Sequence, residues 1–365
     1  MREVKKHVVF FQLVVFFIEY RQPVFAMKLT FWGTRGSIPT SLTAEVVREK
    51  LVNALMEARG KELRSEVQIR QFVEQELPFH RTGTYGGNTP CVEIEGPSQN
   101  ETVLCDGGSG LRAFGVDFFS RPQAKEPHVF HVFMSHLHYD HVQGIPFFGP
   151  GYVPVNQIVF HGCHDNMEQG IREQMSTPYF PVTIEEMQSK ISFEIHQPGD
   201  TFEVAGFKVN TVEQDHPGTS YGYRFDLDGK SAVYSTDAEH RAHDHRKSNP
   251  FLDFIEDADI LIFDAPYSFN EAGGAKEDWG HSSNITGVDF ATRARVKHLV
   301  IFHHDPSACD KALYEFHRAT KNFLRRRKNT YRPFSGARPE KERAALDESY
   351  PEQISLSYDG LILEV

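Results

Sequence analysis

A short histidine-rich segment constrains the fold of this chain more than any other part of it. The apolar run His128–Met134 predicts a strand, and three histidines and one aspartate follow it within six residues of one another. His136 and His138 lie two positions apart, so on an extended chain their side chains point the same way. Asp140 and His141 follow as the chain bends away from the strand. Ligand-type side chains at this density, at the end of a strand, predict a site for two adjacent metal ions.

The composition sets the class of protein and of partner. The chain has 365 residues, 30 phenylalanines and a formal net charge of −11. This length allows one large domain or two small ones, and the aromatic content favours a packed, sheet-rich interior. An acidic protein is not drawn to nucleic acid by its overall field, which disfavours a nucleic-acid partner. The four cysteines show neither disulfide nor metal-motif spacing, so we expect a reducing compartment, the cytoplasm.

The first 26 residues have an ambiguous pattern. Three basic residues precede the apolar run Val8–Ile18, and residues 24–26 are typical of a cleavage site, as in a signal peptide of a secreted or periplasmic protein. We favour the other interpretation, an N-terminal extension, because Met27 opens directly into the first convincing strand. The apolar run is too short for a comfortable membrane span, so we expect no membrane association.

Residues 27–365 are predicted to form one domain of the α/β class. Its strands come first as meanders and later alternate with helices. Residues 43–77 have apolar side chains at helical spacing and form a helical insert after the first strand, which either caps the site or forms the interface of a homodimer. Residues 329–350 are predicted to be a polar linker before a closing hairpin around Asp359-Gly360.

Metal-ligand side chains recur at the ends of further predicted strands. One such residue after one strand carries no information, but the repetition predicts side chains that converge at one edge of a sheet. Imidazole suits zinc and its neighbours, while added carboxylates admit manganese and iron. The residues in question are Asp106, His216, Asp237, Asp264, His303 and His304.

These motifs, in this order, resemble the five motifs of the metallo-β-lactamase superfamily. The resemblance runs from Met27 to the C-terminus outside the helical insert, and it implies a four-layer αββα sandwich. The ligand set contains only histidine and aspartate, with an aspartate at the bridging position. It resembles the ligand set of the phosphodiesterase branch, which includes tRNase Z and the phosphoribosyl cyclic phosphate diesterases. The loops Phe31–Ser37 and Gly86–Asn88 are similar to loops of that branch.

The resemblance implies two divalent metal ions, zinc above all, with manganese or iron as alternatives. Asp237 would bridge the ions, and Asp106 would orient ligands without binding an ion itself. His303 is preferred to His304 because it comes first after its strand. The other implied ligands are His136, His138 and His216 for one ion and Asp140, His141 and His303 for the second.

A second motif carries the implied proton transfer. Trp279–Ser283 precedes a predicted helix and resembles the Gly-His-Ser-Thr motif of tRNase Z relatives, which implies that His281 donates a proton to the leaving group. Those relatives orient this histidine with a His-Glu-Ala-Thr motif. Here Asp264 stands where the glutamate would be, and Phe263 replaces the histidine before it. The alternative for His281 is a structural hydrogen bond at the start of a helix.

The implied reaction is hydrolysis of a phosphodiester by a hydroxide held between the ions, with Asp140 and His281 in the catalytic set. The predicted substrate is a small diester, such as a cyclic nucleotide or a cyclic ribose phosphate. Arg35 and the amides of Gly86 and Gly87 are predicted to contact its phosphate. For Arg35, a salt-bridged structural role is the alternative.

Three other functions stay open on the sequence. A tRNase Z-like endoribonuclease is the first, although the chain is acidic and its basic cluster is confined to Arg325–Lys328. The second is hydrolysis of a thioester or another non-phosphate ester, which the fold alone does not exclude. The third is a metal-bound binding module without turnover, which the complete ligand set and His281 disfavour.

Overall fold

The computed structural model describes residues 26–240, 249–274, 276, 278–330 and 351–365. Residues 1–25 of the predicted N-terminal extension and residues 331–350 of the predicted linker lie outside these ranges, whereas residues 329 and 330 of that linker belong to the last helix. Within them, fourteen strands form two sheets. In chain order the strands are β1 (Lys28–Gly33), β2 (Cys91–Glu95), β3 (Glu101–Cys105), β4 (Val129–Phe133), β5 (Gln157–Gly162), β6 (Lys190–Ile195), β7 (Thr201–Val204), β8 (Phe207–Gln214), β9 (Ser220–Leu227), β10 (Lys230–Ser235), β11 (Ile260–Asp264), β12 (His298–Phe302), β13 (Gln353–Leu356) and β14 (Ile362–Glu364).

Helices cover the outer faces of both sheets. None of the helices in the described residues is both long and apolar enough to cross a membrane. The α-helices are α1 (Ala44–Ala58), α2 (Glu66–Gln71), α3 (Phe79–Thr82), α4 (Gly110–Phe118), α5 (Tyr139–Val142), α6 (Met167–Gln174), α7 (Pro250–Phe254), α8 (Phe269–Ala272), α9 (Asn284–Arg293) and α10 (Asp310–Thr330).

The two sheets have matching topologies. The first has the order β14-β1-β2-β3-β4-β5-β6 and the second the order β13-β12-β11-β10-β9-β8-β7. In each, a meander of antiparallel strands is followed by strands that pair in parallel, from β3 to β6 and from β10 to β13. Parallel strands end at the same edge of a sheet, so the loops that follow them lie together.

Side chains of one strand alternate between two apolar layers. In β11, Ile260 and Ile262 pack between the sheets, whereas Leu261 and Phe263 pack with residues of the outer helices, such as Val288 of α9. A strand that is buried on both faces reads as a continuous apolar run, as β11 does. Together with a third apolar layer under α4 and α6, this packing confirms the predicted αββα sandwich.

The predicted insert over residues 43–77 is helical, but it is divided into separate helices rather than being one continuous helix. The chain leaves α1 at Arg59 and turns at Gly60, whose φ of +82° interrupts the helix before α2 begins. No residue of α1 is buried. The ammonium of Lys50 ties α1 to the domain through the carbonyls of His80 and Gly83, each 2.6 Å away, and through the Asp310 carboxylate at 2.7 Å.

Several apolar side chains of this insert face solvent. They are where the predicted homodimer interface would lie. The homodimer itself stays a prediction. The exposed apolar side chains are Val46, Val47, Leu51, Val52, Leu55, Met56, Val67 and Ile69.

The predicted closing hairpin is also wrong. Strand β13 pairs in parallel with β12 in the second sheet, whereas β14 pairs antiparallel with β1 in the first. The turn at Asp359-Gly360 therefore passes from one sheet to the other. Asp359 accepts hydrogen bonds from the amides of Gly87 and Asn88, and Gly360 donates to the carbonyl of Phe31. These bonds hold the turn against β1 and its loop, which the Asp-Gly signal alone does not reveal.

Candidate metal centre

The predicted ligands sit where strands of both sheets end. Asp106 follows β3, Asp237 lies two residues beyond β10, and His303 follows β12. All three adopt left-handed backbone conformations, with φ of 62°, 51° and 60°. Such conformations are costly for residues other than glycine and cluster at functional sites, where the surrounding structure enforces them. Here they turn polar side chains out of an apolar strand toward the gap between the sheets.

The first ligand group contains His136, His138, His216 and Asp237. One nitrogen or oxygen atom of each lies within 4.8 Å of the others. His216 Nε2 is 3.1 Å from His138 Nδ1, and Asp237 Oδ2 is 3.7 Å from His136 Nε2 and 3.6 Å from His216 Nε2. His138 is the exposed member, so this group opens to solvent. Three imidazoles and a carboxylate form a ligand set that zinc accepts.

The second group is tighter. His141 Nε2 lies 3.3 Å from both Asp140 Oδ2 and Asp237 Oδ1, and His303 Nε2 lies 3.2 and 3.3 Å from the same two oxygens. Zinc–ligand bonds of about 2.0–2.1 Å in a tetrahedron imply about 3.3 Å between ligand atoms. The four atoms are therefore already spaced as a tetrahedral site requires.

Asp237 joins the two groups. Its Oδ2 faces the first group and its Oδ1 the second, and the residue is 2% exposed. Because one carboxylate supplies a different oxygen to each group, the geometry is that of a bridging ligand. The seven predicted ligands thus lie in two groups that share one side chain.

The chemistry of these groups fits cations. Within the described residues, His136 Nε2 and His141 Nε2 are buried and lack a hydrogen-bond partner. Burial lowers the pKa of His136 and keeps the imidazole neutral, which is the ligand form. Burial also lowers the pKa of His141, but the carboxylates of Asp140, Asp237 and Asp106 outweigh it and raise that pKa well above its usual value. The second group therefore carries a concentration of negative charge that a divalent cation would balance.

Asp106 makes hydrogen bonds that fit the orienting role predicted for it. Its Oδ2 accepts from His141 Nδ1 at 2.7 Å and from the Tyr234 hydroxyl at 2.7 Å, and its Oδ1 accepts from the Ser135 amide at 2.7 Å. The bond from Nδ1 fixes the tautomer of His141 that leaves Nε2 free for an ion. A similar bond runs from His216 Nδ1 to the carbonyl of Gly280, at 2.8 Å.

The substitution Asp106→Asn is expected to weaken metal affinity about 10- to 100-fold, because it removes the charge and one acceptor behind His141. Competition with a chelator, read as bound metal per chain, measures the change. Asp215→Asn is the matched control, since Asp215 is exposed and outside both ligand groups. An unchanged affinity in Asp106→Asn would remove the orienting role.

His281 and Asp264 form the predicted pair. His281 Nδ1 donates to Asp264 Oδ2 at 2.8 Å, and the same oxygen accepts the amide of Ala238 at 3.0 Å. The His281 ring lies 5.0 Å from that of His303 and 5.3 Å from that of His216. Burial lowers the pKa of His281, but the Asp264 carboxylate outweighs it and raises the pKa to about 9. His281 is thus held protonated at neutral pH beside both ligand groups.

The structure separates the two adjacent histidines that follow β12. His303 turns toward the ligand groups. His304 Nε2 instead donates to the carbonyl of Ser357 at 2.7 Å, and burial lowers the pKa of His304 to about 3. His304 is therefore a neutral structural residue behind the site.

The predicted phosphate contacts are wrong. Arg35 is buried, and its guanidinium donates to the carbonyls of Gly86, Asp305 and Ala308, each at 2.9 Å. The amide of Gly86 donates to the Thr84 hydroxyl, and that of Gly87 donates to Asp359. The fold therefore uses Nε and Nη1 of Arg35 and both glycine amides, which opposes their role as substrate contacts. The alternative prediction, a structural role for Arg35, agrees better with these contacts, although the partners of Arg35 are carbonyls rather than a carboxylate.

The substitution Arg35→Lys is expected to lower the free energy of unfolding by about 1–3 kcal/mol, because a lysine cannot reach three separate carbonyls and leaves buried acceptors unsatisfied. The KM for a diester substrate should stay within about twofold of the wild type. Denaturant titration and steady-state kinetics measure the two quantities. A raised KM with unchanged stability would restore Arg35 as a substrate contact.

Several contacts of the site are not evident from the sequence. The amide of Ser37, a residue with φ of 62°, donates to Asp140 Oδ2 at 2.7 Å. Tyr234 reaches Asp106 across 128 positions of sequence. The Glu239 carboxylate accepts the amide of Gly280 at 3.1 Å and so fixes the loop before His281. The position of Ser37 directly after Gly36 is a signal for a tight turn, but none of these partners is adjacent in sequence.

Comparisons with known proteins agree with this architecture. The family described as "Beta-lactamase superfamily domain" matches residues 101–304. Ribonuclease Z of Listeria monocytogenes is 25% identical over 296 residues, which cover 66% of this chain and 93% of the relative. The metallo-β-lactamase fold protein YhfI from Bacillus subtilis covers 93% of this chain and all of its own, with 17% identity and a TM-score of 0.55. The short form of human tRNase Z covers 92% of this chain and 98% of its own, with 16% identity and a TM-score of 0.51.

The family match includes more than half of the chain and contains all seven predicted ligands, from His136 to His303, as well as Asp106. Both the predicted family and the predicted fold class are confirmed. The chain belongs to the β-lactamase superfamily, in the phosphodiesterase branch that includes its ribonuclease Z relatives.

Proposed function

We propose that this metal-dependent phosphodiesterase cleaves a small diester, a cyclic nucleotide or a cyclic ribose phosphate, with two zinc ions and His281 as the proton donor. The observation that carries the proposal is the position of His281, paired with Asp264, beside two ligand groups that share Asp237. Manganese and iron are the alternatives to zinc, because carboxylates supply part of the ligand set.

Each part of the site has a role in this proposal. Bound divalent ions supply Lewis-acid stabilisation of the charge that develops on the phosphoryl oxygens. Asp264 occupies Nδ1 of His281, which leaves Nε2 as the nitrogen that donates to the departing oxygen. The amide of Ser37 holds Asp140 in place, and the carbonyl of Gly280 does the same for His216. These bonds keep the ligand atoms in position without a change of structure on binding.

A tRNase Z-like endoribonuclease is the second candidate, and the relatives named ribonuclease Z favour it. The net charge of −11 opposes it. The basic cluster at the end of α10 is also partly used by the fold: Arg327 pairs with Asp289 at 2.6 Å, and Lys328 donates to the carbonyl of Pro351. We therefore rank a small substrate first.

The cytoplasm is the location we propose for this activity. All four cysteines are free thiols, and three of them, Cys91, Cys105 and Cys163, are buried. Unpaired buried thiols are typical of proteins in reducing compartments.

A substrate panel tests the proposed function. Full-length protein loaded with zinc or with manganese is assayed against cyclic nucleotides, a cyclic ribose phosphate, bis(p-nitrophenyl) phosphate and precursor tRNA. The expected result is metal-dependent cleavage of small diesters that stops when a chelator is added. Cleavage of precursor tRNA alone would favour the endoribonuclease, and no cleavage of any diester with either metal would refute the phosphodiesterase.

A further inference from the structure

A cavity of about 130 Å³ opens on the proton-donor side of the site. His281 and His303 line it on the side of the ligand groups. The other lining residues include Tyr267, Lys276, Trp279 and Asp305, together with the loop Gly36–Ser37. The cavity is thus continuous with the second ligand group. It also contains the side chain that we assign as proton donor.

This placement determines which part of a substrate enters the cavity. A phosphodiester has a phosphoryl group that faces the ligand groups and a leaving oxygen that receives the proton. Because a general acid must lie within hydrogen-bond reach of the oxygen that it protonates, the leaving oxygen lies beside His281. The group that carries this oxygen therefore extends into the cavity.

The wall of the cavity is aromatic and nearly balanced in charge. The Tyr267 ring packs edge-on against the His281 ring, with centroids 5.7 Å apart, and the Lys276 ammonium lies 4.1 Å from the centre of the Tyr267 ring. Lys276 is also paired with Asp305 at 2.6 Å. The lysine charge is therefore balanced inside the wall, which favours an uncharged group over a second phosphate.

Trp279 is the unusual side chain of this wall. It is 57% exposed although tryptophan buries more apolar area than most residues, and it lies two residues before His281. Gly280 between them has φ of +81°, and its carbonyl accepts from the metal-ligand candidate His216. The indole is thus an exposed apolar surface on a loop that is fixed to the metal centre.

We propose that this cavity receives the nucleoside whose ribose carries the leaving oxygen, with its base stacked on Trp279; in a cyclic nucleotide this nucleoside stays attached to the phosphate through its other oxygen. The proposal rests on the phosphodiesterase function proposed above, and within that function it selects cyclic nucleotides over cyclic ribose phosphates that lack a base. A planar base has an aromatic face whatever its sequence identity, so stacking on an exposed indole gives affinity without strong preference among bases.

A matched pair of substrates tests the proposal. Adenosine 2′,3′-cyclic phosphate and methyl riboside 2′,3′-cyclic phosphate differ only in the base. Trp279→Ala is expected to lower kcat/KM for the adenosine substrate roughly five- to 150-fold. It should leave the methyl riboside substrate within about twofold. Trp279→Phe should recover much of the loss, since a smaller aromatic ring still stacks.

The control variant is Phe119→Ala. Phe119 is 52% exposed but lies at the end of α4, on the outer face of the first sheet, and its loss should affect neither substrate. An equal fall for both substrates in Trp279→Ala, or no fall for either, would overturn base stacking. A wild-type protein that cleaves no diester at all would instead refute the proposed function.

Fluorescence provides a readout without turnover. The chain has two tryptophans, so the spectrum of the wild type minus that of Trp279→Phe isolates the Trp279 signal. Adenosine monophosphate is expected to quench this difference signal, whereas ribose 5-phosphate should not. Absence of quenching at millimolar adenosine monophosphate would overturn the proposal even if the enzyme hydrolyses diesters.

Discussion

The substitution Asp237→Ala is expected to reduce bound metal from two ions to at most one per chain and to slow diester hydrolysis by a factor on the order of 10³ or more. Asp237 supplies one oxygen to each ligand group, at 3.3 Å from His141 and His303 and at about 3.6–3.7 Å from His136 and His216. Its removal therefore opens both groups together. Elemental analysis of bound metal and steady-state kinetics on a cyclic nucleotide measure the two effects.

Asp215→Ala is the matched control for Asp237→Ala, because Asp215 is an exposed carboxylate next to a ligand in sequence but outside both groups. It should retain two ions and full activity. A variant at position 237 that keeps two ions and loses only activity would show that Asp237 acts without bridging.

The substitution His281→Ala is expected to lower kcat about 10²- to 10⁴-fold while both ions remain bound. The reason is that His281 is not one of the seven predicted ligands but lies beside them, held by Asp264 at 2.8 Å, although its ring is also close enough to Asp237 and His303 to form a third candidate ligand group with them. The loss should depend on the leaving group. It should be large for a cyclic nucleotide, whose alkoxide needs a proton, and small for bis(p-nitrophenyl) phosphate, whose phenolate departs without one.

The pH profile is the second measurement for this histidine. Since the protonated imidazole is the donor, activity should fall as pH rises through the pKa of His281, which Asp264 raises to about 9. Positive charge from bound ions lowers that value. The falling limb should be absent in His281→Ala. If His281→Ala lowered kcat equally for both kinds of substrate and its activity still fell at high pH, the role of His281 as proton donor would be contradicted.

The metal centre was predictable from the sequence because of where its residues lie. Each ligand comes at or just beyond the end of an apolar strand, and strand ends of a sheet converge whatever the intervening loops contain. The strand ends predicted this convergence, whereas the ligand roles of Asp237 and His303 were implied by the resemblance to the metallo-β-lactamase motifs. The left-handed conformation of these residues was not predicted, since it depends on the sandwich that surrounds them.

The loops were less predictable, because their partners are distant in sequence. Arg35 has the charge of a phosphate ligand, but carbonyls at positions 305 and 308 occupy its guanidinium. The loop around Gly87 predicts an amide that is free to bind an anion. In the structure this amide donates to Asp359, which lies near the other end of the chain. Helical periodicity likewise continued across Gly60, where the backbone turns. For Arg35 and Gly87, a tertiary contact outweighed the local signal.

The crossing of the chain between sheets after β13 has a consequence for biosynthesis. Strand β1 lies between β2 and the edge strand β14, with which it pairs at Lys28 and Glu364, so one of the first strands to be translated waits for one of the last. Long-range pairing of this kind is slow and leaves edges exposed meanwhile. We expect the first sheet to close only after residues 362–364 have left the ribosome. Ribosome-bound chains that stop short of them should be cut by protease within the β1 region, whereas released chains should not.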